Sequence, residues 1–516
     1  MFDGLGSFHR KIGTSSAEAQ QYFDQGMRLM WAFNHDESSR SFARAAQLDP
    51  GCAICLWGVA LTVGPNYNMP MMAEPRAKVA FESLQRALGL LDAASPPEQA
   101  LIKALKARYP RPTALDPSNL DPVLEAYAGE MRAVAARFPN DSDIQTMYAE
   151  SMMNVNAWKL WSRDGTPAPG TQTIVATLES VLVRDPSHPG ANHYYVHAVE
   201  ASPHPEKALP SAGRLRGVMP GAGHLVHMPA HILQRVGRYE DAAEANRKAS
   251  VADKVYLGRS QPLDYYPMYV AHNFQFLGYS TAMEGRKAET LEAMKQMRAV
   301  FPEEAMLAMP GLDWYGAEPM LAMVRFGMWN EILAEPRPNR ALQALTGGYL
   351  FARVAALAAN NRVAEARQSL DELDKLRASL APDAGAGLNS AHDVLALAFK
   401  IAQSRVEVAE NDREGAIKTL TEAVAQEDQL NYDEPADWFF PVRHLLGAEL
   451  LKVGRGAQAE AVYREDLRRN PENGWALFGL AQALRAAGKP GEAAPIDARF
   501  AKAWKLADVS LAASAM

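Results

Sequence analysis

Small and aromatic residues recur along the chain at spacings that predict pairs of antiparallel helices. Near the amino terminus the pattern consists of Gly26, Phe42, Ala45 and Pro50. Near the carboxyl terminus it returns at the same offsets as Gly447, Tyr463 and Pro471. Glycine lets two helices approach closely, proline stops the second helix, and few segments show the two-residue period of a strand. The pattern therefore predicts an all-α chain.

A second pattern marks the turns between the paired helices. Glycine or asparagine is followed five residues later by alanine at Gly237/Ala242, Asn361/Ala366, Asn411/Ala416 and Gly454/Ala459. Glycine and asparagine accept the left-handed backbone that closes a helix end, and alanine allows close packing. Each of these sites is predicted to be a tight turn.

Together the two patterns resemble the tetratricopeptide repeat, a helix-turn-helix unit of ~34 residues. The resemblance implies a tetratricopeptide-like α-solenoid, in which each helix pair buries its apolar face against its neighbours. The predicted organisation is one continuous array over 1–516, made of amino-terminal repeats at 19–160, histidine-rich repeats with a metal site at 161–290 and carboxyl-terminal repeats at 291–516.

Composition and charge exclude several classes of protein. The 516 residues carry a net charge of −7, which gives no basic footprint for nucleic acid. No apolar run is long enough for a membrane span, so a soluble protein is expected. The residues after Met1 lack a basic region followed by an apolar run. The sequence as given therefore predicts the cytoplasm, or the periplasm if a signal peptide was trimmed.

Histidines concentrate in one short stretch. Six of the 12 lie in 193–231, where even placement would put about one, and they are His193, His197, His204, His224, His227 and His231. Pro189, Pro229 and Pro267 precede helix-like runs, and proline is favoured in the first turn of a helix. These three helices are predicted to belong to successive repeats, with His272 on the third.

The spacing of these histidines predicts a metal site. At ~100° per residue, His193, His197 and Glu200 share one helix face. Met228 precedes Pro229 and is expected to be extended, so His224, His227 and His231 are not expected on one continuous helix. His227 and His231 can still converge, and His272 would join them from the neighbouring repeat. His224 and Glu200 are predicted as further ligands or as outer partners of the ligands.

The ligand type narrows the metal without fixing it. Imidazole suits copper, iron, zinc and nickel, and copper is favoured because neutral imidazoles dominate the set. Glu200 as a ligand would favour iron or zinc instead, and as a base it could move a proton. Tyr195 is a second candidate catalytic group beside the metal. Two non-metal alternatives stay open: a buried histidine hydrogen-bond network, and an anion pocket using Arg214, Arg216 or Arg235.

Two further clusters are candidate substrate-binding residues. Polar turns at adjacent repeats supply Asn34, His35, Asn66 and Asn68. A segment dense in aromatic and acidic residues supplies Glu434, Trp438 and Arg443, where stacking and a paired carboxylate could hold a ligand. Cys52 and Cys55 are interpreted first as small core residues, with a disulfide or a copper-transfer site as alternatives. The remaining histidines are expected to be exposed or hydrogen-bonded structural residues.

Several strings are similar to those of a group of bacterial tetratricopeptide proteins, often exported. They are Phe33-Asn34-His35, 52–58, 64–68, the HxxxHxxE motif at 193–200, the HLVHMPxH motif at 224–231, His272-Asn273, and Glu434-Pro435 with Trp438, Pro441 and Arg443. The resemblance spans nearly the whole chain. It implies the fold and transfers no particular chemistry, because the group is defined by its repeats.

Three functional hypotheses follow. The leading one is a copper or iron oxidase or oxygenase that acts on a small organic substrate. The alternatives are a zinc-dependent hydrolase and a non-catalytic scaffold that binds a peptide or protein partner. Metal storage or transfer is a weaker possibility, which predicts metal binding without turnover.

Overall fold

The computed structural model describes residues 1–70, 72, 74–112, 120–260, 265–309 and 311–516. Over these residues the only strands are β1 (Gly385–Ala386) and β2 (Asn389–Ser390), an antiparallel pair that joins Gly385 to Ser390 and Ala386 to Asn389. All other regular structure in this part of the chain is helical, which confirms the predicted all-α class.

The helices follow one another with short connections. The first fourteen are α1 (Ala17–Trp31), α2 (His35–Leu48), α3 (Ala53–Thr62), α4 (Glu74–Leu88), α5 (Pro96–Leu105), α6 (Asp121–Arg137), α7 (Ser142–Val155), α8 (Thr171–Arg184), α9 (Pro189–Val199), α10 (Leu209–Val218), α11 (Gly223–His227), α12 (Pro229–Arg235), α13 (Tyr239–Leu257) and α14 (Tyr266–Met283). The others are α15 (Lys287–Val300), α16 (Glu303–Ala308), α17 (Asp313–Arg325), α18 (Trp329–Ala334), α19 (Gln343–Ala359), α20 (Val363–Ala378), α21 (Ala391–Ala409), α22 (Arg413–Glu427), α23 (Val442–Lys452), α24 (Gly456–Arg469), α25 (Gly474–Ala486) and α26 (Pro490–Ala503). Short 3-10 turns occur at Leu91–Ala93 and Pro205–Ala208.

The helices form two compact units, which are described separately. The first unit comprises Met1–Ile232 and Arg247–Tyr269, and the second comprises Leu233–Asn246 and Val270–Met516. The predicted subdivision at 19–160, 161–290 and 291–516 stays a prediction. Among the described residues, no helix combines the length and the apolar character that a bilayer crossing requires.

The turns inside the helix pairs have the backbone that the sequence predicts. Gly237, Asn361, Asn411 and Gly454 all have positive φ, between 55° and 76°. Each closes one helix and redirects the chain into the next, because the left-handed conformation ends the helical hydrogen-bond ladder. In the α1–α2 turn this position is held by Phe33, with φ of 53°.

The aromatic residues of the repeat pattern pack against its glycines. In the first unit a Cβ on Gly26 or Gly58 would lie 2.6 or 2.5 Å from the ring of Phe42. Both glycines are therefore required for α1 and α3 to pack on this aromatic residue of α2. The second unit repeats the arrangement, since a Cβ on either Gly447 or Gly479 would lie 2.3 Å from the ring of Tyr463. These contacts confirm a fold of tetratricopeptide-like helix pairs.

The two cysteines lie at the start of α3. Both are buried, as expected of small core residues, and they are joined by a disulfide. The interpretation of Cys52 and Cys55 as unpaired core residues is thus corrected to the disulfide alternative. The Cys52 sulfur also caps α3 by accepting the amide N–H of Cys55 at 3.3 Å.

Candidate metal centre

Helix α9 places two imidazoles on one buried face of the first unit. The helix begins at Pro189, and the Nδ1 atom of His188 caps it by accepting the amide N–H of Ala191 at 3.0 Å. One turn inside, His193 and His197 are 0% and 1% exposed. The predicted shared face is therefore present, and it lies inside the unit.

The second set of histidines follows a path that the sequence analysis did not expect. Met228 is helical, with φ −48° and ψ −35°, and its amide donates to the carbonyl of His224 at 3.1 Å. The prediction that Met228 is extended is wrong, because the restriction before proline is a bias that local packing can outweigh. His224, His227 and His231 thus lie along two nearly continuous short helices, at spacings of three and four residues.

Three imidazoles converge in the first unit. Ring nitrogens of His193, His197 and His224 all lie within 4.8 Å of one another. The Nδ1 of His193 donates to the Trp31 carbonyl at 2.6 Å, and the Nδ1 of His197 donates to Glu200 at 2.9 Å. These bonds place the protons on Nδ1 and leave the lone pairs on Nε2. Neither ring nitrogen of His224 has a hydrogen-bond partner among the described residues.

Burial favours the neutral form of His193 and His224 in this cluster. Desolvation lowers the pKa of His193 well below its ordinary value, and the nearby His197 lowers it further. Desolvation also lowers the pKa of His224 well below its ordinary value, reinforced by His193 and His227. Neutral imidazole is the form that binds metals, because protonation occupies the donor nitrogen.

Glu200 links the three-histidine cluster to the remaining pair. Its carboxylate accepts from Nδ1 of His197 at 2.9 Å and from Nδ1 of His231 at 2.6 Å. With its proton on Nδ1, His231 accepts at Nε2 from the Nε2–H of His227 at 2.7 Å. Glu200 therefore orients two imidazoles. A catalytic role for it stays a prediction.

Aromatic rings pack against the imidazoles. The Phe33 ring centroid is 4.5 Å from that of His193, 5.9 Å from that of His197 and 5.8 Å from that of His224. The Tyr269 ring lies 4.4 Å from His224. Sequence reasoning missed Phe33 as a site residue. The available signal was its position in the α1–α2 turn, where the repeat pattern calls for glycine or asparagine.

The cluster of His193, His197 and His224 does not include His272 or Tyr195, two of the predicted site residues. His272 belongs to the second unit, on α14, where its Nδ1 atom pairs with Gln275 at 3.2 Å. Its predicted role as a metal ligand stays a prediction. Tyr195 lies on α9 two residues from each of the α9 histidines, and its hydroxyl donates to Glu179 of α8 at 2.7 Å. A residue at that offset points to another side of the helix.

The two polar turns of the first repeats do pack together. The Nδ2 of Asn66 pairs with Nδ1 of the buried His35 at 3.2 Å, and Nδ2 of Asn68 donates to the Tyr269 hydroxyl at 3.5 Å. Asn34 caps α2 and accepts from the Tyr256 hydroxyl at 3.4 Å. Desolvation lowers the pKa of His35 to about 3. Their predicted role in binding a substrate stays a prediction.

The second predicted binding cluster is partly engaged in internal contacts. Trp438 and Arg443 line a cavity of about 220 Å³ in the second unit, and the buried Glu434 is not among its lining residues. The Arg443 guanidinium donates two hydrogen bonds to Asp428, at 2.8 and 2.7 Å. The carboxylate that the sequence analysis expected Arg443 to bind is thus already supplied by the chain. Binding of a substrate by the three residues stays a prediction.

A carboxyl in this cavity predicts a pH effect on stability. Burial raises the pKa of Glu427 to about 8, although the Val442 amide and Arg443 act to lower it. A raised pKa in the folded state stabilises at low pH and loses that contribution as pH rises from about 4.5 to about 8. Glu427→Gln should remove this loss, so its unfolding free energy should gain roughly 2–4 kcal/mol on wild type between pH 5 and pH 9.

Urea unfolding at several pH values measures this difference. The matched control is Glu422→Gln on the same helix, α22. Glu422 is half exposed and its pKa is lowered by its hydrogen bond to Lys400, so it stays ionised over the whole range. A difference from wild type that does not change with pH for Glu427→Gln would contradict the prediction.

Most other histidines have ordinary structural partners. His188 bonds Asp143 at 2.9 Å, His444 bonds Asp466 at 2.9 Å, and the exposed His204 approaches Glu206 at 3.3 Å. The structural interpretation of the isolated histidines agrees with these contacts. It also sets apart the convergent histidines of the first unit, because they face one another.

The comparisons with known proteins give no family for the chain. No protein-family model matches it, and no curated protein matches it. Among solved structures it is similar to the human IFIT1 dimer with m7Gppp-AAAA, at 14% identity over 87% of this chain and 90% of that chain, with a TM-score of 0.36. It is also similar to the APC/C hetero-tetramer Cut9-Hcn1, at 14% over 97% and 76%, with a TM-score of 0.31. For yeast Tom70 the identity is 10% over 94% and 99%, with a TM-score of 0.33.

The interpretation of the chain as a copper or iron oxidase or oxygenase is wrong. The similar structures are described by what they are bound to or assembled with, a capped RNA for IFIT1 and Hcn1 for Cut9. The non-catalytic scaffold is the alternative hypothesis that is left. Within the chain, Glu200 is engaged by two imidazoles and Tyr195 by Glu179.

Proposed function

We propose that the protein is a non-catalytic tetratricopeptide-like scaffold whose first unit binds an acidic, amphipathic peptide segment of a protein partner. The observation that supports this proposal is an open groove of about 600 Å³ with an apolar floor and a basic edge. We call it the α13 groove. Its main side-chain lining comprises Phe2, Leu29, Val226, Val251, Ala252, Val255, Tyr256 and Tyr266, with the charged residues Asp3, Arg216, Arg247, Lys248 and Arg259.

The floor of the α13 groove exposes apolar side chains. Val251 and Val255 are 66% and 61% exposed, and they lie one turn apart on α13. Isolated exposed valines are ordinary, but a pair on one face inside a concave surface offers anchor sites to another helix. Helices recognised in grooves present their apolar anchors at this same one-turn spacing.

The charged residues at the edge of the groove favour an acidic partner. Among the charged lining residues four are basic and only Asp3 is acidic. Arg259 already contacts Asp3 at 3.2 Å, which shows that a carboxylate can be held at this edge. A partner segment with leucine or valine on one face and aspartate or glutamate beside it would match both features. The whole chain has a net charge of −7, so the basic edge of the groove is opposite in sign to the charge of the chain.

Fluorescence anisotropy with the full chain tests the proposal. The probe is a short fluorescein-labelled peptide with leucines one helical turn apart and glutamates between them, and its partner probe carries lysine in place of glutamate. We expect saturable binding of the acidic peptide that weakens with salt, and no comparable binding of the basic one. Equal binding of the two peptides, or of neither, would refute an acidic partner.

Variants locate the binding surface. The double substitution Val251→Glu/Val255→Glu should weaken binding of the acidic peptide by about tenfold or more, because it places like charges on the floor. The matched control is Val183→Glu on α8, where the valine is 83% exposed and lies outside the groove lining. If Val183→Glu weakens binding as much as the double variant does, the α13 groove is not the site.

A further inference from the structure

We propose that the first unit binds one transition-metal ion through Nε2 of His193, Nε2 of His197 and one ring nitrogen of His224. This inference goes beyond the scaffold function. His224 also lines the α13 groove, whereas His193 and His197 are not among the groove's lining residues. The ion would join α9 and α11, and copper is the ion that the ligands favour.

The first argument is the spacing of the donor atoms. Ligand nitrogens ~2.0–2.1 Å from a tetrahedral ion are about 3.4 Å apart. The three donors already lie within 4.8 Å of one another. Small side-chain rotations would therefore bring all three to bonding distance, without any movement of the helices.

The second argument is the orientation of the rings. A metal-binding histidine almost always donates its other ring N–H to a carbonyl or carboxylate, which fixes the tautomer and aims the lone pair. His193 does so to the Trp31 carbonyl and His197 to Glu200. Both hydrogen bonds use Nδ1, so both Nε2 atoms have the lone pair that a metal requires.

The third argument concerns the hydrogen bonding of the buried ring nitrogens of His193 and His224. Nε2 of His193 and both nitrogens of His224 are buried without a hydrogen bond among the described residues. Buried polar atoms in native structures are nearly always satisfied, and an unexplained one is expected to meet an ion or a water. A single metal ion would satisfy two of these atoms at once.

The ligand set favours copper among the transition metals. All three donors are imidazoles, and the only two cysteines of the chain are joined to each other in a disulfide. Imidazole sets suit copper, zinc, iron and nickel, and divalent copper binds a given nitrogen site most tightly of these. Zinc is the next candidate, since it accepts three histidines and a fourth ligand.

Metal analysis of the full chain tests this site. The protein is purified without a polyhistidine tag, stripped with EDTA, incubated with copper sulfate or zinc sulfate, dialysed and measured by elemental mass spectrometry. We expect retention of about one copper per chain from this site, in preference to zinc. The double variant His193→Gln/His224→Gln should lose that equivalent while circular dichroism shows an unchanged helix content.

A control and a graded variant keep the test decisive. His9→Ala/His204→Ala removes two histidines that are 56% and 66% exposed, and it should retain the copper. Glu200→Gln replaces the carboxylate that orients His197 and His231, and it should lower copper affinity by about 10–100-fold. Absence of bound copper and zinc in wild type, or equal retention by wild type and His193→Gln/His224→Gln, would overturn the proposal, whatever the outcome of the peptide experiments.

Discussion

Replacing Phe33 with alanine is expected to lower the unfolding free energy of the first unit by about 3–5 kcal/mol and to weaken copper binding by about tenfold. The ring is fully buried and contacts all three imidazoles of the proposed metal site. Its removal leaves a cavity beside His193, His197 and His224, so their rings lose the surface that fixes their orientation. Urea unfolding measures the first effect, and copper titration into stripped protein measures the second.

Phe42→Ala is the matched control for this prediction. Phe42 is also fully buried in the first unit, but its ring packs between Gly26 and Gly58 and against the ring of Phe23. The two variants should lose similar amounts of stability, while only Phe33→Ala should lose copper affinity. Phe33 has a positive φ, which strains the backbone of any residue that carries a Cβ. Alanine carries a Cβ as well, so the substitution adds no new backbone strain. Unchanged affinity in Phe33→Ala would show that the ring does not position the imidazoles.

The repeat architecture was predictable because its rules are local. Two glycines on the helices before and after a third helix let both helices pack closely on an aromatic residue of that third helix. The sequence spacing of the three residues is enough to predict this packing. The structure places the ring of Phe42 at Gly26 and the ring of Tyr463 at Gly447, as those spacings imply. The left-handed turns at Asn361 and Gly454 follow from the residue types in the same way.

The histidine site was only half predictable. Helix periodicity correctly placed His193 and His197 on one face, because that face depends only on the spacing within α9. The inclusion of His224 depends on how the chain passes Met228 and Pro229, and the rule for residues before proline gave the wrong conformation there. The Trp31 carbonyl that orients His193 lies 162 residues earlier, so no local pattern could have shown it.

The chemistry of the site was the least predictable part. Imidazole donors define what can bind, but they do not define a reaction, because a reaction needs further groups placed toward the ion. The spacing of Glu200 to His197 allows a metal ligand, a partner that orients an imidazole, or a base that moves a proton. In the structure Glu200 accepts hydrogen bonds from two imidazoles, which is an orienting role. The same spacing thus supports several roles, and only the third dimension distinguishes them.

The second unit contains a buried network of charged and polar side chains around Asp466. Arg325 donates to Nδ1 of His444 at 2.9 Å, and Nε2–H of His444 donates to Asp466 at 2.9 Å. Asn473 donates to the same carboxylate at 2.9 Å, and the Arg325 guanidinium lies 3.8 Å from the ring of Trp475. Burial lowers the pKa of Arg325 to about 9. Burial alone would raise the pKa of Asp466, but the contacts with His444, Asn473 and Asn470 together outweigh burial and lower that pKa.

Asp466→Ala is therefore expected to lower the unfolding free energy of the second unit by about 3–5 kcal/mol. The substitution leaves the buried Arg325 charge without the carboxylate that compensates it through His444. It also removes one of the two acceptors of the Asn473 amide, which keeps its hydrogen bond to the Asn470 carbonyl. Calorimetry and urea unfolding at neutral pH measure the loss. Glu365→Ala is the control, since its pair with Arg362 is about half exposed on both sides and its loss should leave the unfolding free energy nearly unchanged.

A double-variant cycle separates the network from simple packing. If Asp466 acts by compensating the buried cation, then Arg325→Met should recover part of the loss when it is added to Asp466→Ala, because no uncompensated charge remains. If Asp466 mattered only for packing, the two losses would add. Recovery is the expected result, since the side chains of His444 and Asp466 are 0% and 1% exposed and no solvent reaches the carboxylate to replace its role. If the losses of unfolding free energy from the two substitutions simply add, the stability of this region depends instead on the ring contacts around Trp475.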